Sequence, residues 1–249
     1  MAGHERRDEL VADLDLAQRA PVLVAGGEQE REHVVALLGP LSEVEVRDEL
    51  VTTLVAGHET TASQLAWALA ILARMPDRAG ALSEELERGG DEALLKATIQ
   101  EIMRIRPVLP NAEPRVANKP VQIGPWLYPV GTTLFPSTYL LHHDPEIYPD
   151  PYTFRPERFI ERPPGTYTWL PFGAGRRRCI GASFAMLEMQ SLLRAALTRF
   201  SLQPAGGSAE KAARRGITIT PARQAIVVLT RRRSSPHAAA EPAAMPAAA

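Results

Sequence analysis

The chain has 249 residues, a formal net charge of −1 and a single cysteine. That length suits one large domain or two small ones, and 45% apolar with 23% charged residues is the balance of a globular protein with a core. The near-zero charge points away from nucleic acid, and one cysteine excludes an internal disulfide and a cysteine zinc cluster. No run of about 18 uninterrupted apolar residues is present to cross a membrane. The opening MAGHERRDEL is charged and has no apolar signal core, so a cytoplasmic location is the expectation.

In residues 1–41, Leu10, Val11, Leu14 and Leu16 line a short amphipathic helix and Val22 to Ala25 form a small apolar run, but no motif is present. From Ser42 to Met75 the pattern is helical. Ser42 reads as the N-cap, Glu43 and Glu45 complement the dipole in the first turn, and Leu50, Leu54, Leu65, Leu69 and Leu72 recur at three and four spacing. Pro76 stops the run. At 1.5 Å per residue such a helix is roughly 45–50 Å long, enough to cross a domain. Its middle reads AGHETT, Ala56 to Thr61. Gly57 costs about 1 kcal/mol against alanine, and Thr60 can bond back to the Ala56 carbonyl and open the helix locally. An acid, two threonines and a glycine there suggest a site; a solvated polar patch is the alternative. His58 alone is no metal site.

Asp77 to Arg88 reads as a second helix, stopped by Gly89-Gly90, and Glu92 to Ile105 as a third, ending before Pro107. In the third, Glu101 and Arg104 share one face at i, i+3. On a surface such a pair is worth roughly a few tenths of a kcal/mol. The chain then turns extended, with a hairpin at Val121–Ile123 and Trp126–Tyr128 around Gly124-Pro125 and a strand at Thr132–Phe135. His142 to Phe159 is rich in proline and aspartate, a meandering loop. His142 and His143 have no third ligand at metal spacing and are assigned structural roles.

Phe172 to Gly181 reads FGAGRRRCIG, follows Trp169-Leu170-Pro171 and runs into a helix over 182–199. Its glycines let backbone approach a flat partner. Cys179 is expected at the helix start, where free N–H groups and the dipole favour a thiolate, a good ligand for haem iron. A buried, inert thiol is the alternative. Ile217–Thr220 and Ala225–Leu229 read as a last β-hairpin, and residues 231–249 as a disordered Arg/Ser/Pro/Ala tail.

The spacing F-G-x-G-x-R-x-C-x-G resembles the haem-binding signature of the cytochrome P-450 superfamily, the haem-thiolate monooxygenases. AGHETT is similar to that superfamily's A-G-x-[E/D]-T-T on the long distal helix, Glu101-Ile-Met-Arg104 to its E-x-x-R, and FRPERF, Phe154 to Phe159, to the segment that completes a buried Glu–Arg–Arg network. The four occur in the family's order between about Ser42 and Leu229. The resemblance implies a mainly α fold with small β-sheets (α+β), the C-terminal part of a cytochrome P-450 domain. It implies haem b as cofactor, with Cys179 as the axial iron ligand and Phe172, Gly173, Arg177 and Gly181 around it. Ala56 and Gly57 would lie against the porphyrin, and Glu59 and Thr60 would deliver protons. Arg115 and Arg177 would pair with haem propionates, for which a bidentate guanidinium is suited. Val108 to Glu113 would line the substrate side. Glu101, Arg104 and Arg158 would form the structural network that locks the cysteine loop.

The activity implied is insertion of one oxygen atom of O2 into an apolar small-molecule substrate, with electrons from a ferredoxin or flavoprotein reductase fed by NAD(P)H. Arg176 and Arg178 would help dock an acidic partner. Alternatives are a peroxide-using haem-thiolate enzyme, a catalytically incomplete haem-binding fragment, and an interaction protein with no cofactor. Family members are much longer on the N-terminal side. The expected layout is therefore a poorly matching segment 1–41, the C-terminal part of a haem-thiolate monooxygenase domain over 42–230, and the tail. The apolar side of the long helix would then lack cover and favour association.

Overall fold

The computed structural model describes residues 42–232. The expected helix around Leu10–Leu16 and the tail beyond residue 232 lie outside the described residues. Helix α1, Glu43–Leu72, opens on a capping box: Ser42 N–H donates to Glu45 Oε2 at 2.7 Å, and Glu45 N–H donates to Ser42 Oγ at 3.3 Å. The helix has two halves. Leu50, Val51, Leu54 and Val55 are exposed, Leu54 to 71%, whereas Trp67, Ala68 and Leu72 are buried. Only the second half packs on the rest of the described chain.

Pro76 does more than end α1. It opens α2, Pro76–Arg88, at a first-turn position where the missing N–H has no helical partner to lose. Helix α3, Ala93–Ile105, has no side-chain cap of its own. Glu85 of α2 supplies one, its carboxylate accepting from Leu94 N–H at 2.8 Å and Leu95 N–H at 3.0 Å. Trp67, Leu72, Leu82, Leu95, Ile99 and Ile102 form the core with Leu193 and Leu197. Trp67 Nε1 donates to the Ile219 carbonyl at 3.1 Å, so the largest core side chain leaves no buried donor unpaired.

All the sheets described are two-stranded and antiparallel. Strand β1, Arg115–Val116, pairs with β4, Thr133–Leu134. Strands β2, Val121–Ile123, and β3, Trp126–Tyr128, form the expected hairpin. Helices α4, Thr138–His142, and α5, Glu157–Glu161, bracket the Pro-rich meander, and α6, Ala182–Arg199, follows the cysteine loop.

The last hairpin differs from expectation. Strand β5, Phe200–Pro204, pairs with β8, Val227–Arg231, and β6, Ala212–Arg215, pairs with β7, Thr218–Pro221. The segments expected to pair with each other thus lie in different sheets. Gly216, at φ +61°, makes the turn that returns β7 onto β6 with Arg215 opposite Thr218. Strand β8 pairs with the strand that leaves α6 directly. Order also runs past the expected domain end: Arg231 closes β8, and Arg232 N–H donates to the Arg199 carbonyl at 2.9 Å.

Candidate active site

The E-x-x-R face of α3 is internal. Glu101 and Arg104 are both fully buried. Arg104 Nε donates to Glu101 Oε2 at 2.7 Å and Arg104 Nη2 to Oε1 at 2.9 Å, while Arg158 Nε reaches Oε1 at 3.2 Å from α5. Arg155 N–H adds a fourth donor to that carboxylate at 2.9 Å. The spare guanidinium donors go to meander carbonyls: Arg104 Nη1 to His142 and Pro151 at 2.7 and 2.8 Å, and Arg158 Nη1 to Pro149 at 3.2 Å. A buried ion pair compensates its desolvation only when its remaining donors and acceptors are met, and here they are. The Tyr148 ring lies 5.0 Å from the Arg104 guanidinium carbon, and its hydroxyl donates to the Thr168 carbonyl at 2.9 Å. Burial pushes that phenol's pKa up.

The cysteine loop is tied to this block. Trp169 Nε1 donates to the Gln100 carbonyl at 3.1 Å, and Leu170 N–H donates to His142 Nε2 at 2.9 Å. Phe172 stands edge-on to Trp169, centroids 6.0 Å apart. Gly173 and Gly175 have φ +67° and +68°, which a side-chain-bearing residue would adopt only with strain. Gly173 N–H donates to the Leu170 carbonyl at 3.0 Å, and Cys179 N–H donates to the Phe172 carbonyl at 2.8 Å. Cys179 is free and exposed, which sets aside the buried inert thiol.

This geometry corrects one expectation. Helix α6 starts at Ala182 with Gly181 as N-cap, so Cys179 precedes it. The cysteine amide is not a free helix-end donor either, because the Phe172 carbonyl takes it to close the loop. Arg115 and Arg177, from β1 and the cysteine loop, converge on one exposed carboxylate: both reach Glu113 Oε2, at 3.5 and 3.6 Å. Nothing in the spacing singled out Glu113 as their shared partner, although it lies two residues before Arg115.

On α1, Thr60 Oγ1 donates to the Ala56 carbonyl at 2.7 Å, the back-bond expected from the sequence. Glu59 faces Arg215 at 3.5 Å rather than Thr60. Ala56 and Gly57 are exposed, and a methyl group added at Gly57 would meet nothing within 4 Å. Among the described residues no cluster of three metal-binding side chains occurs, and no described helix is long and apolar enough to cross a membrane. His142 is fully buried, with Nδ1 3.2 Å from the Arg104 carbonyl. Burial first, then the Arg104 charge, pushes its pKa down to about 3. Its place between α3 and the cysteine loop was invisible in the sequence beyond the absence of a metal spacing.

Comparison with known proteins agrees with the fold. The family described as Cytochrome P450 matches residues 22–228. "Putative cytochrome P450 138" of Mycobacterium tuberculosis is 43% identical over 193 residues, covering 77% of this chain and 43% of that protein. "Putative cytochrome P450 135B1" of the same organism is 37% identical over 250 residues, covering 95% and 51%. A solved structure titled "Crystal structure of a Cytochrome P450 (CYP102L1)" superposes with a TM-score of 0.70 at 30% identity, over 78% of this chain and 47% of that one. The chain therefore spans about half the length of the curated relatives it matches. The family match over most of the chain, joined to a mainly helical fold with small antiparallel sheets, makes this chain a member of the cytochrome P450 family.

Proposed function

We propose that the chain forms the haem-thiolate part of a monooxygenase that places one oxygen atom of O2 in an apolar small-molecule substrate. The observation that carries this reading is Cys179, exposed and free at the end of a loop closed by its own amide and tied to a buried ion network. The residues present fit haem b. Gly173 and Gly175 keep side chains off the loop, and open space borders Gly57. Two arginines already converge on a carboxylate, the chemical group that a haem propionate presents.

When bound, a haem iron with a cysteine thiolate supplies activation of O2 with two electrons. Cys179 serves as the thiolate ligand, with Phe172, Gly173 and Gly181 shaping its loop. Arg115 and Arg177 would release Glu113 to hold the propionates and so orient the cofactor. Ala56 and Gly57, both exposed, would leave room beside a bound cofactor. Thr60 holds a hydroxyl proton on the Ala56 carbonyl and frees it when that bond opens; Glu59, half-buried beside Arg215, relays protons from solvent. Electrons come from a ferredoxin or flavoprotein reductase fed by NAD(P)H, whose acidic face suits the basic loop at Arg176 and Arg178.

The test is the absorption of the reduced, carbon monoxide-treated chain after haem loading. The wild type is expected to show a strongly red-shifted Soret band, and Cys179→Ala is expected to lose it. Retention of that band in Cys179→Ala refutes the assignment. A second reading, a haem-binding segment that is catalytically incomplete alone, is supported by the uncovered half of α1. Stoichiometric haem uptake with no turnover, driven by peroxide or by a reductase, favours it.

A further inference from the structure

His142 makes bonds in two directions from a fully buried position. Nδ1 lies 3.2 Å from the Arg104 carbonyl, and Nε2 lies 2.9 Å from Leu170 N–H. A carbonyl only accepts and an amide N–H only donates. The hydrogen must therefore sit on Nδ1 and the lone pair on Nε2, which is one tautomer of a neutral imidazole. The opposite tautomer would set N–H against N–H at Leu170 and lone pair against lone pair at Arg104, and an imidazolium would create the first of these clashes. The residue's own carbonyl accepts from Arg104 Nη1 at 2.7 Å, so its backbone is pinned from the same side.

The bond to Leu170 continues toward the cysteine. The Leu170 carbonyl takes Gly173 N–H at 3.0 Å, and the Phe172 carbonyl inside that turn takes Cys179 N–H at 2.8 Å. The neighbouring anchors stop earlier in the chain: Tyr148 holds Thr168, and Trp169 holds its own indole on Gln100.

We propose that His142 is a positioning residue for Cys179: a neutral imidazole with its hydrogen on Nδ1 that couples the α3 ion network to the Leu170–Gly173 turn and so sets where the thiol stands. The coupling rests on the reading of Cys179 as haem ligand only for its consequence, not for its geometry. The groups facing the ring are the Arg104 guanidinium, the adjacent His143 and the Tyr148 ring, edge-on with centroids 6.2 Å apart. Burial and the Arg104 charge keep the imidazole neutral at ordinary pH.

The experiment uses the whole chain in wild-type, His142→Gln and His142→Asn forms. Glutamine can place an acceptor near the position of Nε2 and keep the Leu170 bond. Asparagine keeps a donor near Nδ1 and loses that bond. Amide exchange at Leu170 and Cys179 is expected to speed up about tenfold in His142→Asn and to stay within about threefold of wild type in His142→Gln, with Ile102 and Met103 in α3 unaffected in both. After haem loading, the red-shifted carbon monoxide band should fall in His142→Asn and persist in His142→Gln. Nitrogen-15 spectra of wild-type His142 should show the hydrogen on Nδ1.

Equal exchange at Leu170 in the two variants overturns the proposal, as does a wild-type ring protonated on Nε2. If both variants are too unstable to compare, the wild-type ring spectrum alone still decides. The expected exchange pattern in a chain that never shows the red-shifted band upholds the coupling and refutes the haem reading instead.

Discussion

Acid should destabilise this protein well above the pH at which carboxylates titrate, and His142 is the reason. Its pKa falls from 6.5 to about 3 in the folded chain, mainly through burial. The folded state holds the neutral ring, while the unfolded chain takes up a proton below 6.5. The stability contributed is therefore complete above the unfolded value and is lost as pH falls from there toward the folded value. The limiting slope is about 1.4 kcal/mol per pH unit. Between about pH 7 and pH 5 the loss comes to about 2 kcal/mol. His143 is lowered too, again mainly by burial, and adds a loss of the same sign. Urea unfolding at the two pH values, followed by the fluorescence of buried Trp67 and half-buried Trp169, measures this directly. His142→Gln starts less stable at neutral pH but should lose about 1–2 kcal/mol less than wild type on acidification. An identical loss in the two proteins would refute the argument.

Two further perturbations probe the scaffold. Glu101→Ala leaves the Arg104 and Arg158 guanidiniums buried without their carboxylate and should cost about 3–5 kcal/mol in urea unfolding at neutral pH. A loss under about 1 kcal/mol would mean that the site admits water or rearranges. Trp67→Phe removes the donor to the Ile219 carbonyl while keeping most of the apolar volume. It should cost about 1–3 kcal/mol and loosen β7, seen as faster amide exchange over Thr218–Thr220; unchanged exchange there would show that the bond does not hold that strand.

The parts legible in the sequence are those governed by short-range chemistry. Ser42 and Glu45 are three residues apart, so their capping box could be read directly, and the helix after them followed. Gly124-Pro125 between two short apolar runs announced the β2–β3 hairpin. Thr60 bonds to a carbonyl four residues back, which helix geometry makes available wherever the residue sits. The four motifs were legible by resemblance, which carried the fold class and the family without any pairing having to be derived.

Contacts between distant segments had to wait for the tertiary structure. Phe200 sits opposite Arg231, and no local signal distinguishes that pairing from the shorter hairpin it displaced; the continuation of α6 into β5 and the Gly216 turn decide it. The periodic leucines of α1 marked an apolar side, but its division into an exposed first half and a second half that meets the packed helices needed the structure, since burial depends on what lies opposite and not on period. The helix begins at Ala182 as read from the sequence, but Cys179 stands before its N-cap Gly181, and its amide closes the loop on the Phe172 carbonyl instead of lying free at the helix end. His142 looked like any histidine in a Pro-rich loop. Its tautomer and its bond to Leu170 arise because the fold brings an amide, a carbonyl and a buried guanidinium together around one ring, from segments separated by 28 and 38 residues.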